Sequence, residues 1–194
     1  MERCHPRSIE ILMQFLGPIQ PRSLFRALDV AGGDGRFSSS FLLKHYRKVD
    51  LFDQCPQAQK KAKNAMRGHG ALGYVSIAKM QEFQWRFDYS AIFMVWCAGY
   101  LGRQELLAFL RKAKTHLIQY STRTSRRTAP ESFIFLLDNV LGPGEEPFVL
   151  KGQLLRSQQE LEAIFDEAGL LVHKRSERHS MPSGFRDVCV WALY

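Results

Sequence analysis

Three glycines and one acid carry the first recognisable chemistry in this sequence. The stretch Ala27-Leu28-Asp29-Val30-Ala31-Gly32-Gly33-Asp34-Gly35-Arg36-Phe37 reads as a short apolar strand, a glycine turn and a helix start. Glycine lets the backbone bend sharply and approach a ligand with no Cβ in the way. The helix that follows offers free N–H groups to an anionic group. On an α/β sheet this is the layout of a nucleotide-type cofactor site. Asp53 stands about 20 residues beyond the turn, where such sites place the acid that accepts from the ribose hydroxyls. A carboxylate suits the task because it offers two acceptor oxygens. Asp53 also precedes a helix beginning at Pro56, where a negative charge is favourable; the two roles are compatible.

The glycine spacing is not the dinucleotide fingerprint, which would need a glycine at Ser38. It matches instead the acid-x-Gly-x-Gly-x-Gly turn of methyltransferases that use S-adenosylmethionine, with Ala31 in the first glycine's place.

Further candidates fall at the ends of later apolar runs, where ligands bind in open α/β sheets. Met80-Gln81 follow the third run; Gln81 can hydrogen-bond a base and Met80 can pack on it. Val95-Trp96-Cys97-Ala98-Gly99-Tyr100 close the fourth, and Asp138-Asn139 the fifth.

These positions need elements to hold them. Ser8 to Leu16 reads as a helix, with Ile9, Leu12, Met13 and Leu16 on one stripe and Gly17-Pro18 as a stop. Strands are expected at 26–30, 49–53, 73–77, 87–96 and 132–138. Helices are expected at 38–45, 56–66, 104–116 and 157–168. The run 87–96 is the strongest strand, almost continuously apolar as a central parallel strand is. Residues 142–147 read as a flexible connection. Ser157 caps the last helix, with Glu160 at the capping-box position and Gly169 ending it. Two strands at 170–174 and 188–193, with a turn at 181–184, close the chain. The alternation predicts an α/β, Rossmann-like sheet, mostly parallel, with an antiparallel C-terminal edge. It fits one domain over 1–194, with 1–25 as N-terminal helix and linker and 26–194 as core.

The chain has 194 residues, 45% of them hydrophobic, and a formal net charge of +8. No run approaches the roughly 20 apolar residues of a membrane span. The first residues lack the apolar region of a signal peptide. The cysteines at 4, 55, 97 and 189 have no C-x-x-C spacing, so no zinc site is expected. Cys97 and Cys189 lie in apolar runs and read as buried free thiols. The expected setting is intracellular, cytoplasmic or nuclear, with a mitochondrial address left open. Basic residues gather at 60–63, 111–114, 123–127 and 174–178. They read as solvated helix faces and one loop, or as a surface for an acidic or RNA-containing partner. Oligomeric state is not legible.

The chain resembles the S-adenosylmethionine-dependent methyltransferases that modify the α-amine of proteins beginning, after removal of Met, with X-Pro-Lys. The likeness rests on Leu28-Asp29 with Gly33-x-Gly35-Arg36, Val49-Asp50-x-x-Asp53, Gln81-x-Phe83 and Trp96-x-x-Gly99-x-Leu101. It continues through Ala108-Phe109-Leu110-Arg111, Asp138-Asn139, Ala168-Gly169-Leu170, Met181-Pro182 and Ala192-Leu193. The resemblance implies a seven-stranded sheet and S-adenosylmethionine as cofactor. It implies that Ala31, Gly33 and Arg36 line the methionine end, with Arg36 pairing the carboxylate. Asp53, Gln54 and Cys55 would lie along the ribose and Met80 and Gln81 along the adenine. Asn139 would hold the substrate amine and Trp96 would wall its channel.

The sequence departs from that family in its second half. Val95 replaces a cofactor-contacting glutamine, and Tyr100 stands where the family has histidine. Lys151 lies near the position of a catalytic aspartate, and the N-terminal aromatic segment that covers the substrate is missing or short. Asn139, Tyr100 and Asp138 remain the catalytic candidates. Two functions follow: an active methyltransferase, acting on a protein N-terminus or on a changed substrate, or a catalytically silent relative serving as a binding subunit. A nicotinamide oxidoreductase fits worse, for want of the third glycine and of a Tyr-x-x-x-Lys or His–Asp pattern.

Overall fold

The computed structural model describes residues 6–16, 25–118, 132–182 and 185–194. Helix α1 (Pro6–Leu16) leads to strand β1 (Arg26–Val30). After the glycine turn comes a π-helical stretch, Ser38–Leu42, running into α2 (Leu43–His45). The wider turn has a local cause. The Ser39 and Ser40 hydroxyls both donate to the Arg36 carbonyl, at 3.1 and 2.7 Å, and compete with the helical ladder. Then follow β2 (Lys48–Asp53), α3 (Pro56–Ala65), β3 (Leu72–Ile77), β4 (Ala91–Val95), α4 (Arg103–Thr115) and β5 (Phe133–Asn139). The chain closes with β6 (Phe148–Leu150), β7 (Gln153–Leu155), α5 (Gln158–Glu167), β8 (Val172–Arg175) and β9 (Val188–Leu193).

Seven strands form one sheet in the order β3-β2-β1-β4-β5-β9-β8, and β6 and β7 form a separate hairpin. Pairing is parallel from β3 through β5; β9 runs antiparallel to both β5 and β8. Because strand side chains alternate between faces, β1 sends Leu28 and Val30 into one apolar layer and Ala27 into the other. The first layer packs Ile92, Met94, Ile134 and Trp191 against α4 and α5. The second packs Phe93, Phe133, Phe135 and Val190 against α1 and the Phe37–Tyr46 segment. Both faces are covered, which is why the central strands read as unbroken apolar runs.

Three expectations need correction. Helix α1 buries Ile11, Leu12, Phe15 and Leu16 and leaves Met13 exposed. Six apolar residues crowd this helix, so spacing alone admits more than one stripe. Packing selects the face that buries the largest of them, Phe15. Strand β4 is shorter than 87–96 at both ends. Phe87 and Asp88 precede it, and Trp96 leaves it with φ 54°. The hairpin β6–β7 falls between the 142–147 connection and the Ser157 helix, where the sequence pattern predicts no element. Its turn, Lys151-Gly152, has φ 51° and 80°, the left-handed pair of a two-residue hairpin. The stop at Gly17-Pro18, Cys4, and Ser183-Gly184 of the last turn lie outside the described residues.

Candidate functional site

The carboxyl ends of β1, β2 and β4 meet above a two-lobed groove. One lobe, about 270 Å³, is lined by Ala31, Gly33, Arg36, Cys55, Val95, Trp96 and Tyr100 among others. The second, about 130 Å³, is lined by Ala31, Phe52, Asp53, Gln54, Met80, Gln81, Tyr100 and Leu101 among others. Ala31 and Tyr100 belong to both lobes. Every residue expected to line the cofactor therefore borders this groove, although these residues come from four separate segments.

The turn is held from below. The Gly33 N–H donates to Asp53 Oδ2 at 2.9 Å, and the Cys55 N–H to Asp53 Oδ1 at 2.8 Å. Asp53 thus ties the glycine turn after β1 to the end of β2 and holds the Cys55 N–H just ahead of α3. Ala31 has φ 50° and Gly33 φ 58°. An alanine in that region carries strain of order 1 kcal/mol, so the position read as a replaced glycine keeps a glycine-like backbone. Gly32 is needed for closeness: a Cβ there would stand 2.5 Å from Leu51 Cδ1 and 2.7 Å from Asp29 Cγ. Asp29 lies buried under the turn and accepts the Ser38 hydroxyl at 2.6 Å. Burial pushes its pKa up to about 7, against the Ser38 hydrogen bond; the Asp53 charge adds to the rise. At the groove's ends, Arg36 Nη2 pairs with Asp34 at 3.3 Å, and the Gln81 amide donates to Glu105 Oε1 at 3.1 Å.

Asp138 and Asn139 are not among the residues lining either lobe. They sit behind it. Asp138 is buried; its Oδ2 accepts from the Ala98 and Gly99 N–H groups at 2.9 and 3.3 Å, and its Oδ1 from the Asn139 N–H at 2.8 Å. It thereby fixes the helical turn Ala98–Tyr100 that carries Tyr100 into the groove. Burial raises its pKa to about 6, opposed by these three N–H groups and by Arg156. Arg156, which the sequence did not single out, is buried beneath the same turn. Its Nη2 donates to the Leu101 carbonyl at 2.6 Å and its Nη1 to that of Ala98 at 3.4 Å.

Trp96 is the strained member. Its positive φ is held by its N–H on the Leu137 carbonyl at 2.8 Å and by Gln153 Nε2 on its own carbonyl at 3.0 Å. The hairpin thus buttresses the segment that walls the larger lobe. The ring of Phe185 stacks on Trp96 at 6.1 Å. Lys151 is exposed at the hairpin's turn. Arg123, Arg126 and Arg127 lie outside the described residues. Among the described residues no helix is long and apolar enough to cross a membrane. Cys97 and Cys189 are buried free thiols, as expected, and burial pushes the Cys97 thiol up.

Groove and ligand match in kind. S-adenosylmethionine is elongated, charged at its amino-acid end, hydroxylated in the middle and flat at its base. The groove offers Arg36, Lys61 and Asp34 in its larger lobe, and Asp53 with Phe52, Met80 and Leu101 in its smaller one.

The sheet order, its antiparallel last pair and a glycine turn at the end of β1 define a class I S-adenosylmethionine-dependent methyltransferase fold. The chain belongs to the AdoMet dependent proline di-methyltransferase family, whose model it matches over residues 8–194. It is 27% identical over 189 residues to the N-terminal Xaa-Pro-Lys N-methyltransferase 1 of Danio rerio, covering 96% of this chain and 80% of that protein. It is 27% identical over 181 residues to the Alpha N-terminal protein methyltransferase 1 of Oryza sativa subsp. indica, covering 86% of this chain. There it spans about half of the relative, 53%. Among solved structures, a SAM-dependent methyltransferase of Leishmania major superposes with TM-score 0.84 at 24% identity, over 100% of this chain and 74% of that one.

Proposed function

We propose that this chain transfers a methyl group from S-adenosylmethionine to an amine, with a protein N-terminus as the substrate class. The observation that carries the reading is the groove above β1, β2 and β4. The larger lobe carries Arg36 and Lys61 with Asp34, and the smaller carries Asp53 beside Phe52, Met80 and Leu101, groups suited to the charged, hydroxylated and flat parts of the cofactor. Family membership and the relatives' activity on protein N-termini support it. Nothing among these matches favours a silent subunit.

When bound, S-adenosylmethionine supplies a methyl group made electrophilic by its sulfonium. Arg36 pairs with the carboxylate end, where a guanidinium can bond both oxygens. Asp53 accepts from the ribose hydroxyls. Gln54 and Cys55 flank the ribose, Met80 and Gln81 the base, and Ala31, Gly33 and Val95 the methyl-bearing end. Asn139 accepts an N–H of the substrate amine, and Trp96 walls its path. An α-amine has a pKa near 7.7–8.0, so near neutral pH much of it must lose a proton before attack. Asp138 is a positioning residue in this reading: its two oxygens hold Asn139 and the Tyr100 turn. Tyr100 borders both lobes, but a neutral phenol is a poor acceptor for that proton, which is why slow turnover is expected.

Two experiments test the proposal. Isothermal calorimetry with S-adenosylhomocysteine should show binding to the wild type. Asp53→Ala should weaken it by roughly 1–3 kcal/mol, the scale of hydrogen bonds to a charged group. Unchanged affinity in that variant would remove Asp53 from the site. A methylation assay on an X-Pro-Lys peptide should give weak turnover, and none at all would count against a protein N-terminus of that sequence as the substrate. Lys151 puts a cation near the position where the family carries an acid, and Tyr100 stands in place of a histidine. The double variant Tyr100→His, Lys151→Asp should raise turnover. Robust turnover by the wild type would show that neither departure matters.

A further inference from the structure

The opposite end of the sheet carries a second surface that the methyltransferase reading does not use. Three exposed aromatic rings lie there: Phe25 is 48% exposed, Phe87 40% and Tyr74 38%. Each is covered by an arginine. The Arg47 guanidinium lies 5.3 Å from the Phe25 ring, Arg26 3.5 Å from Phe87, and Arg86 4.6 Å from Tyr74. These residues come from four separate segments, so no run in the sequence announces them.

One buried acid joins the Arg26–Phe87 and Arg86–Tyr74 pairs, and the Phe25–Arg47 pair adjoins them through the chain at Phe25-Arg26. Asp50 of β2 accepts Arg26 Nε at 2.8 Å, Arg26 Nη2 at 3.0 Å, the Tyr74 N–H at 2.7 Å and the Tyr89 hydroxyl at 3.1 Å. Its charge is spent on Arg26, which leaves Arg47, Lys48 and Arg86 as the cations this face presents among the described residues. The Lys48 ammonium also donates to the Gly70 carbonyl at 2.9 Å. The exposed acid beside the patch, Asp88, sits 3.2 Å from His116 Nδ1. All of this lies where β1, β2 and β4 begin, at the far end of the strands from the groove.

We propose that this basal face binds single-stranded nucleic acid. Cations spaced among exposed rings match a polymer that alternates phosphates with flat bases. Stacking on aromatic rings is sequence-tolerant, and arginine planes extend the platform. A second copy of the chain would bring like charge to like charge. An acidic polypeptide would use the cations and leave the rings idle.

The test is fluorescence anisotropy with a labelled single-stranded RNA of mixed sequence, at roughly 50 and 200 mM salt. Phe25→Ala and Phe87→Ala should each weaken binding by roughly 5- to 100-fold, the worth of one stacked base, with the salt slope unchanged. Arg47→Ala and Arg86→Ala should each reduce the log–log salt slope by roughly 0.7. Inorganic polyphosphate, an anion without bases, should compete far less well than unlabelled RNA. Cofactor affinity should be the same in all four variants. Should an alanine variant fold poorly, Phe25→Leu and Phe87→Leu keep apolar bulk and remove the ring, and weakened binding in them supports stacking. No RNA binding, equal competition by polyphosphate, or full binding in the Phe variants would overturn the proposal. Loss confined to an Arg123, Arg126, Arg127 triple variant would do the same.

Discussion

Arg156→Met is expected to destabilise the protein by roughly 3–5 kcal/mol, the cost of removing one partner from a buried charged network. The guanidinium is 2% exposed and holds the carbonyls of Ala98 and Leu101, the two ends of the turn that carries Tyr100. Glu160 Oε1 lies 3.4 Å from its Nε, and the buried Asp138 carboxylate feels its charge. Methionine fills similar volume, but it strips the Leu101 carbonyl of the Arg156 donor, leaves the Ala98 carbonyl only the Leu101 N–H at 3.2 Å, and leaves Asp138 without a nearby cation. Arg156→Lys should recover only part of the loss, because one ammonium cannot reproduce the planar fork that reaches both carbonyls. Adding Asp138→Asn to Arg156→Met should recover another part, since it removes the uncompensated charge. Urea unfolding reads the stability, and cofactor calorimetry reads the groove. The turn's displacement should weaken cofactor binding even under conditions where the variant is fully folded. A variant as stable as the wild type would mean that other groups satisfy those carbonyls.

The cofactor half of the site was legible because its signals are local in sequence. A turn that needs left-handed backbone shows itself as glycines, and Gly33 and Gly35 have φ 58° and 75°. An acid that must sit at the end of the neighbouring strand appears at a set distance along the chain, as Asp53 does. The sheet was legible for the same reason, since a strand covered on both faces must be an apolar run. What the sequence hid are contacts between distant segments. Arg156 lies 55 residues from Leu101, whose carbonyl it holds, and no spacing rule links them. The hairpin β6–β7 is short and its exposed residues Val149 and Leu150 are apolar, so its alternation is blurred. Lys151 in a left-handed turn conformation gives none of the usual Asn-Gly signal. The basal rings give no signal within any single run, because Arg26 and Tyr74 meet only through Asp50, across strands.

Thermal stability is expected to fall as pH rises from about 4 to about 7, and Asp29→Asn should flatten most of that fall. Burial raises the Asp29 carboxyl from 3.8 to about 7, even though Ser38 donates to it. The folded protein therefore holds this proton more tightly than the unfolded chain does. Where the folded state binds more protons, stability decreases with pH. The favourable contribution is complete below about pH 4, where both states are protonated, and is lost as pH passes through the folded value near 7. A displacement from 3.8 to about 7 corresponds to roughly 4 kcal/mol at about 1.4 kcal/mol per pH unit. Asp138, raised to about 6, acts with the same sign and accounts for the slope that should remain in the variant. Asparagine keeps a carbonyl oxygen to accept the Ser38 hydroxyl and never ionises beside Asp53. Melting curves at pH 5 and pH 8 decide the matter. The variant should gain on the wild type at pH 8 far more than at pH 5. Equal pH dependence in the two proteins would show that Asp29 titrates in its ordinary range, with water or the groove's own cations reaching it beneath the turn.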